Sequence, residues 1–540
     1  MNFLTAPSRG SLLSAMQAVT KPIPVPAPTG GVNRTDSLTN MAPNDAIFMY
    51  NMIPSEFGTR VRSGYTEFAN GVSTEARTVI PFTASLPSND RLFAAADDGI
   101  YDVSGGGVIG GPILAFPTID ANSGFGIWTN YTNSAGNFSL LTDESNGYHV
   151  YSESSGLWVK VAMGAGPTQI SGVDPDDFVA LTIFKSRIWF VERNSSRAWY
   201  LAADSIFGVA TVFNFGNKFK HGGTLAALFN WTIDGGEGVN DYLVAISTGG
   251  DVVVYLGDDP ASATTFTQKG VWFIGPPPTG RRIAGSFGGE LYLLSQYGLI
   301  PMSKLISGSL VQLEDVNFAK KVSPLVTTEM LQSREVHGWE VKLVPTENLL
   351  LISSPKRSGV DYQQFVYSLN TPGWAVYRDL PYLTGELWHG VFYFADETGR
   401  ILIHQGNLDN VDIAGTTFEL INWSLLMPFF GYGADGFYHR IQFIRAIFLA
   451  AQAPSYSTEA RYDYDLDEAL APPSASVATG ALWDSAIWDL SLWTGDFTPV
   501  EAVRGGDGMG RTMAIGLNGN SGSRTILVKF DLLADQGGML

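Results

Sequence analysis

The stretch DYLVAISTGGDVVVYLG, residues 241–257, decides how the fold is read. Two apolar runs flank Thr-Gly-Gly-Asp, and glycine supplies the positive-φ backbone that a tight turn between strands demands. The same shape returns in RLFAAADDGIYDVS (91–104), RIAGSFGGELYLLSQYGLIPM (282–302) and GVFYFADETGRILIHQG (390–406). Longer strand runs join it, such as GYHVYSESSGLWVKV (147–161) and FVALTIFKSRIWFVER (178–193). Strand, turn, strand and a longer link recur every ~40 to 50 residues, the spacing of β-propeller blades. The chain is therefore expected to be all-β, with an irregular propeller of six or seven blades over residues 86–410. The spacing is irregular near 205–240 and 306–346. No WD40, kelch or Asp-box signature accompanies it, so spacing alone carries the expectation.

The flanks differ in texture. Residues 1–29 read as an extended N-terminal arm, because the alternating prolines of KPIPVPAPTGG (21–31) favour a polyproline path and cannot bury themselves. Such an arm is expected to be ordered only by contact with another chain. Residues 30–85 read as inner strands joining a platform-like β domain, which residues 411–540 complete. That domain opens on the long apolar runs FELINWSLLMPFF (418–430) and HRIQFIRAIFLAA (439–451). RTMAIGLNGNSGSRTILVKFDLLAD (511–535) reads as a hairpin turning at NGNSG.

The chain has 540 residues, 52 acidic against 33 basic, for a formal charge of −19. Such a surface does not wrap nucleic acid, which is held through clustered Lys and Arg, but it suits a conduit along which DNA slides without sticking. With no cysteine, disulfides, thiolate metal sites and Cys nucleophiles are excluded. No apolar window is long enough to span a bilayer as a helix.

Enzyme constellations are absent. There is no G-x-S-x-G elbow, Walker A loop or H-E-x-x-H, and GYGADG (431–436) lacks the βαβ context of a dinucleotide fingerprint. The six histidines (149, 221, 337, 389, 404, 439) show no ligand spacing, although His389 and His404 fall in consecutive predicted strands. Arg60 with Arg62, and Arg281 with Arg282, read as surface ion-pair residues. Asp463, Asp465 and Asp467 begin like a calcium loop, but Glu468 and Ser474 stand where its Gly and Glu are required. Strand alternation accounts for them instead, giving one acidic face, which reads first as a solvated face and alternatively as a candidate channel-facing band. No cofactor and no metal are expected. Trp483, Trp488 and Trp493, five residues apart, match neither helical nor strand period. Each follows a Leu or Ile, so they read as packing or interface anchors rather than a ligand site.

The segment 30–69 is less generic. Its skeleton is Gly30-Gly31, Asn33, Ser37-Leu38, Met41-x-Pro43-x-Asp45-Ala46, Asn51-x-x-Pro54, Gly58 and Val61-Arg62-x-Gly64-Tyr65. This resembles the opening of the tail nozzle proteins of short-tailed (podovirus-type) bacteriophages, the tail tubular protein B class. The Trp-and-Asp repeat and the Gly-rich hairpin after it resemble the same proteins loosely. The resemblance implies a non-enzymatic virion protein, assembled in the host cytoplasm, whose homo-hexameric ring hangs beneath the portal adaptor ring proteins. The ring would offer docking surfaces to tail fibre or spike proteins. Genomic DNA would pass its channel during genome ejection without sequence-specific binding, and no stable membrane insertion is implied. This chain is shorter than the larger members, so tip or fibre-docking elaborations are not carried over. The alternative is a propeller that binds or degrades carbohydrate, since aromatics stack on sugars and carboxylate pairs cleave them.

Overall fold

The computed structural model describes residues 22–234, 239–307, 317–431, 437–467 and 498–536. The blades are legible in the strand pairing. Blade 1 comprises Thr78–Phe82, Arg91–Ala95, Gly99–Asp102 and Leu114–Ala115; blade 2 comprises Gly126–Asn133, Gly136–Asp143, Gly147–Ser152 and Leu157–Lys160. Blade 3 is Phe178–Phe184, Arg187–Glu192, Arg197–Tyr200 and Thr211–Asn214, and blade 4 is Leu225–Asp234, Val239–Ser247, Asp251–Leu256 and Thr267–Phe273. Blade 5 has three strands among the described residues, Ala284–Phe287, Glu290–Ser295 and Gly298–Pro301, while blade 6 is Glu340–Val344, Leu349–Ser353, Gln363–Ser368 and Gly373–Arg378. Thr384–Trp388, Val391–Ala395 and Ile401–His404 make blade 7, and its fourth strand is Tyr65–Asn70 from the other end of the chain. Neighbouring blades pack against one another in order, and blade 7 packs back on blade 1. The protein is all-β with a seven-bladed propeller, so the upper of the two expected blade numbers holds.

The opening stretch forms the middle of blade 4, with Val244 opposite Val254 and Ala245 opposite Val253. Its residues Leu243–Ile246 and Val252–Val254 are all fully buried. A strand with both faces covered loses the alternation of a half-exposed one, which is why these runs read as continuous apolar stretches.

The propeller begins earlier than residue 86. Tyr65–Asn70 closes the ring by antiparallel pairing with Ile401–His404, Ala69 facing Ile401 and Tyr65 facing His404. Joining first and last strands of the propeller in one blade ties the ring through hydrogen bonds instead of leaving an exposed edge.

The platform is a two-sheet sandwich built from both ends of the chain. One sheet runs in the order Thr498–Gly505, His439–Ala450, Thr525–Gln536, Gly58–Val61, Met52–Ser55. The other continues from blade 6 through Phe48–Tyr50, Glu419–Leu426 and Met513–Ser521 to Ser455–Tyr462. The rings of Trp423 and Tyr456 from the second sheet meet Phe448 of the first at 5.9 and 4.9 Å. The segment 511–535 is not a hairpin. Met513–Ser521 and Thr525–Gln536 belong to different sheets, and residues 522–524 cross between them. All nine residues of Met513–Ser521 are buried, including the Asn-Gly-Asn that reads as a turn in sequence.

The arm is shorter than expected. Ile23–Pro26 pairs antiparallel with Lys529–Leu532 of the same chain, and Val25 and Ala27 are buried. Residues 22–29 are therefore held within the subunit. The helix Ser323–Ser333 fills the gap before blade 6.

Candidate functional site

Asp463, Asp465 and Asp467 do not lie on a strand. The strand ends at Tyr462, and Asp463 and Tyr464 adopt φ of 49° and 66°, which turns the chain. The Asp463 carboxylate accepts from the backbone N–H groups of Arg511 and Thr512, at 2.8 and 3.1 Å, and Asp465 caps the N–H of Asp467 at 3.1 Å. Asp and Asn side chains favour such turns because they replace backbone partners locally. The three carboxylates are exposed on a surface turn that follows the Ser455–Tyr462 strand of the second sheet. Trp483, Trp488 and Trp493, and the calcium-loop positions Glu468 and Ser474, lie outside the described residues, as do residues 432–436 of GYGADG.

His389 and His404 are not companions. His389 sits at the tip of the first hairpin of blade 7 with φ of 50°, stacks on Trp388 and meets Asp90 of the loop before Arg91–Ala95 at 2.8 Å. His404 is buried at the joint between propeller and platform.

That joint is where Arg60 and Arg62 act, and they are not surface residues. The Arg62 guanidinium, 1% exposed, donates in parallel to both Asp409 oxygens at 2.7 and 2.6 Å, and its Nε donates to Asn51 at 3.1 Å. Asn51 also accepts from the Arg378 N–H and donates to the Asn422 carbonyl, so one buried knot gathers blade 6, the blade 7 exit and the platform. Arg60 donates to Glu347 at 2.5 Å, and the His404 ring lies 3.1 Å from the other Glu347 oxygen. Burial opposes charge on Glu347, yet His404 and Arg60 more than offset it and hold the carboxyl at about 2. Burial lowers His404, and the two arginines act in the same direction against Glu347. Forked Arg–carboxylate pairing is what makes a buried charge tolerable, and removing one partner of such a pair costs about 3–5 kcal/mol.

Arg281 and Arg282 likewise turn inward, at the hub. Both precede the first strand of blade 5. Arg281 donates to Glu144 at 2.7 Å and to the Ala226 carbonyl at 2.5 Å, reaching blades 2 and 4. Arg282 donates to the Gly126 and Arg77 carbonyls and to the Thr78 hydroxyl, reaching blades 2 and 1. Below them the first strands of blades 2 to 5 line an open pocket of 270 Å³. At about 30 Å³ per water it holds on the order of ten waters. Sequence reasoning missed this plug because backbone carbonyls, the partners that bury both guanidiniums, have no sequence signature; an Arg-Arg pair after PPPTG was the only hint.

Beside the plug, an open cleft of 390 Å³ is lined by Arg77, Phe125, His337 and Lys356 among others. Arg77 is paired with Glu75 and stacks over Phe125 at 5.1 Å, and burial lowers the pKa of His337. Among the described residues no three His, Cys, Asp or Glu side chains are gathered to hold a metal, and no helix is long and apolar enough to cross a membrane.

No family model matches the chain, and no curated protein matches it. Solved structures similar in fold include the β-propeller domain of Cps50 (Swd1) from Myceliophteria thermophila, with 13% identity and a TM-score of 0.38, covering 63% of this chain and 99% of that one. YCF48 bound to D1 peptide shares 12% identity over 64% of this chain and 94% of that one, at a TM-score of 0.31. The extracellular domain of the hybrid two-component system BT3049 from B. thetaiotaomicron shares 10% identity at a TM-score of 0.39, over 75% of this chain and 55% of that one. At these TM-scores none bears on function, and the propeller is defined by this chain's own strand pairing.

Proposed function

We propose that the protein is a structural subunit of a phage tail, a nozzle whose copies form a ring around the path of the exiting genome. The observation that supports this is the joint between platform and propeller. Strands from residues 23–61 interleave with strands from residues 419–536, and the propeller is inserted between them, in keeping with the order that the resemblance of residues 30–69 implies. The propeller axis itself is a poor conduit, because Arg281 and Arg282 of blade 5 tie to blades 1, 2 and 4 across the hub. A channel would have to lie between subunits, lined by surfaces of a chain whose charge of −19 repels DNA from lasting contact.

The test is the mass and shape of the purified protein, alone and with its neighbours from the same operon, by light scattering and negative-stain microscopy. Six-fold rings with an open centre are expected. A monomer under both conditions sinks the reading, and release of reducing sugar from a host surface glycan would favour the carbohydrate-degrading alternative.

A further inference from the structure

The first platform sheet has two outer strands of opposite character. At one side, Ile23–Pro26 lies on the central strand, and its neighbours are Pro22, Pro24 and Pro26. Only Ile23 and Val25 in that stretch carry an amide hydrogen. Turned towards Thr525–Gln536, they leave an outer edge of prolines with no donor, to which no further strand can pair. At the other side stands Thr498–Gly505, which among the described residues is bonded to His439–Ala450 and to no other strand. The Gly506 N–H donates inward to the Gln442 carbonyl, and alternation along an antiparallel ladder then turns the N–H groups of Glu501, Val503 and Gly505 outward. The one proline of this strand, Pro499, falls in the same outward series, where its missing donor breaks no bond within the sheet.

Among the described residues this edge has no partner strand, and exposed apolar side chains stand on it (Val503), on the strand beside it (Phe443) and in the loop after it (Met509). Val503 is 60% exposed, Met509 62% and Phe443 46%. Natural sheets seldom leave such an edge bare, because it is a template for another strand.

We infer that this edge receives residues 1–21 of a neighbouring copy, as an added strand that locks one subunit to the next. The inference rests on the ring reading and names the contact that closes the ring. Three observations select this occupant. The arm's root, Pro22, lies at the proline-blocked side of the same sheet, so copies set side by side bring each root to the neighbour's open edge. Its 21 residues reach up to about 70 Å at ~3.3 Å each, far more than the few strand spacings involved. The arm also carries Arg9 and Lys21 and no acidic residue, in a chain whose charge is −19, and it would meet exposed Glu501, which Arg445 also pairs, and Asp507 just beyond the strand, with Arg504 between them. Leu12, Leu13, Met16 and Val19 supply apolar partners for Val503 and Phe443.

The absence of cysteine makes the test direct, since introduced thiols are the only ones. Separately purified S14C and affinity-tagged V503C proteins are mixed and oxidised. A tagged heterodimer is expected from the mixture, and a ladder up to a closed ring from the double variant. A disulfide within single chains of the double variant would place the arm on its own edge and overturn the inference. Absence of any S14C–V503C bond, or V503C pairing only with itself, overturns it too. A chain lacking residues 1–21 should lose at least tenfold in ring population while keeping the intact chain's unfolding profile. Rings from both intact and shortened chains defeat the arm contact but leave the nozzle reading standing, whereas a monomeric intact chain defeats the nozzle reading itself.

Discussion

His149 shows how a single residue reports the interior. It is fully buried in blade 2, where burial lowers its pKa to about 4, with the Gly147 carbonyl opposing. Unfolded, its pKa returns to about 6.5, so between these values the unfolded state binds a proton that the folded state refuses. Stability is then lost as pH falls from 6.5 towards 4, by roughly 2 kcal/mol between pH 6.5 and 5 from this residue alone. His404 is displaced in the same direction, and Glu347, held at about 2, adds a further loss once the pH drops below about 4.5. Urea midpoints at pH 7.5 and 5.0 should therefore diverge, with the acid sample weaker, and His149→Gln should narrow the gap. An unchanged gap would mean that the imidazole is already solvated. The sequence marked none of this. His149 reads there as one of six scattered histidines, because burial depends on which blades pack over it.

The closing strand of the propeller carries the argument at the scale of elements. Tyr65–Asn70 must pass close to the exit from blade 7, and Gly64 makes the passage possible: a Cβ at that position would lie 1.9 Å from the Leu408 carbonyl oxygen. Gly64→Ala should therefore strain the closure and destabilise the chain by about 1–3 kcal/mol, as overpacking does. Gly390→Ala, at a hairpin tip where an added Cβ meets nothing, is the control for space alone, though its φ of 76° carries a backbone cost of its own. Chemical denaturation of both variants measures the difference, and a Gly64→Ala protein as stable as the parent would show that the closure is slack. The sequence makes the hairpins plain, since turn chemistry and apolar runs are local. It does not reveal that a strand at residue 65 completes a blade begun at residue 384, nor that 511–535 is an arch and not a hairpin. A strand buried on both faces and a turn both accommodate Asn-Gly-Asn, and only the choice of partner sheet separates them.

For the whole molecule, the platform, blades 6 and 7 and the helix Ser323–Ser333 share one continuous core, running from Val25 and Phe448 through Trp423, Trp374 and Trp339 to Phe394. Propeller and platform should consequently unfold together, giving a single calorimetric transition; two resolved transitions would show that the joint at Arg62 and Asp409 couples them only weakly. The proposed ring, arm contact and DNA path would belong to this scale as well, where the acidic balance would act through the assembled surface rather than through any one carboxylate. By itself, the sequence determined the all-β class, the repeat of about 40 to 50 residues, the absence of thiol chemistry and the acidic charge, because each is set by composition or by contacts between near neighbours. Only the tertiary structure decided the seventh blade, the closing strand, the interleaved platform, and the fate of the arginines and of the Asp463 turn. Those depend on which distant strands meet, and pairing between strands hundreds of residues apart is fixed by shape and burial that no local pattern encodes.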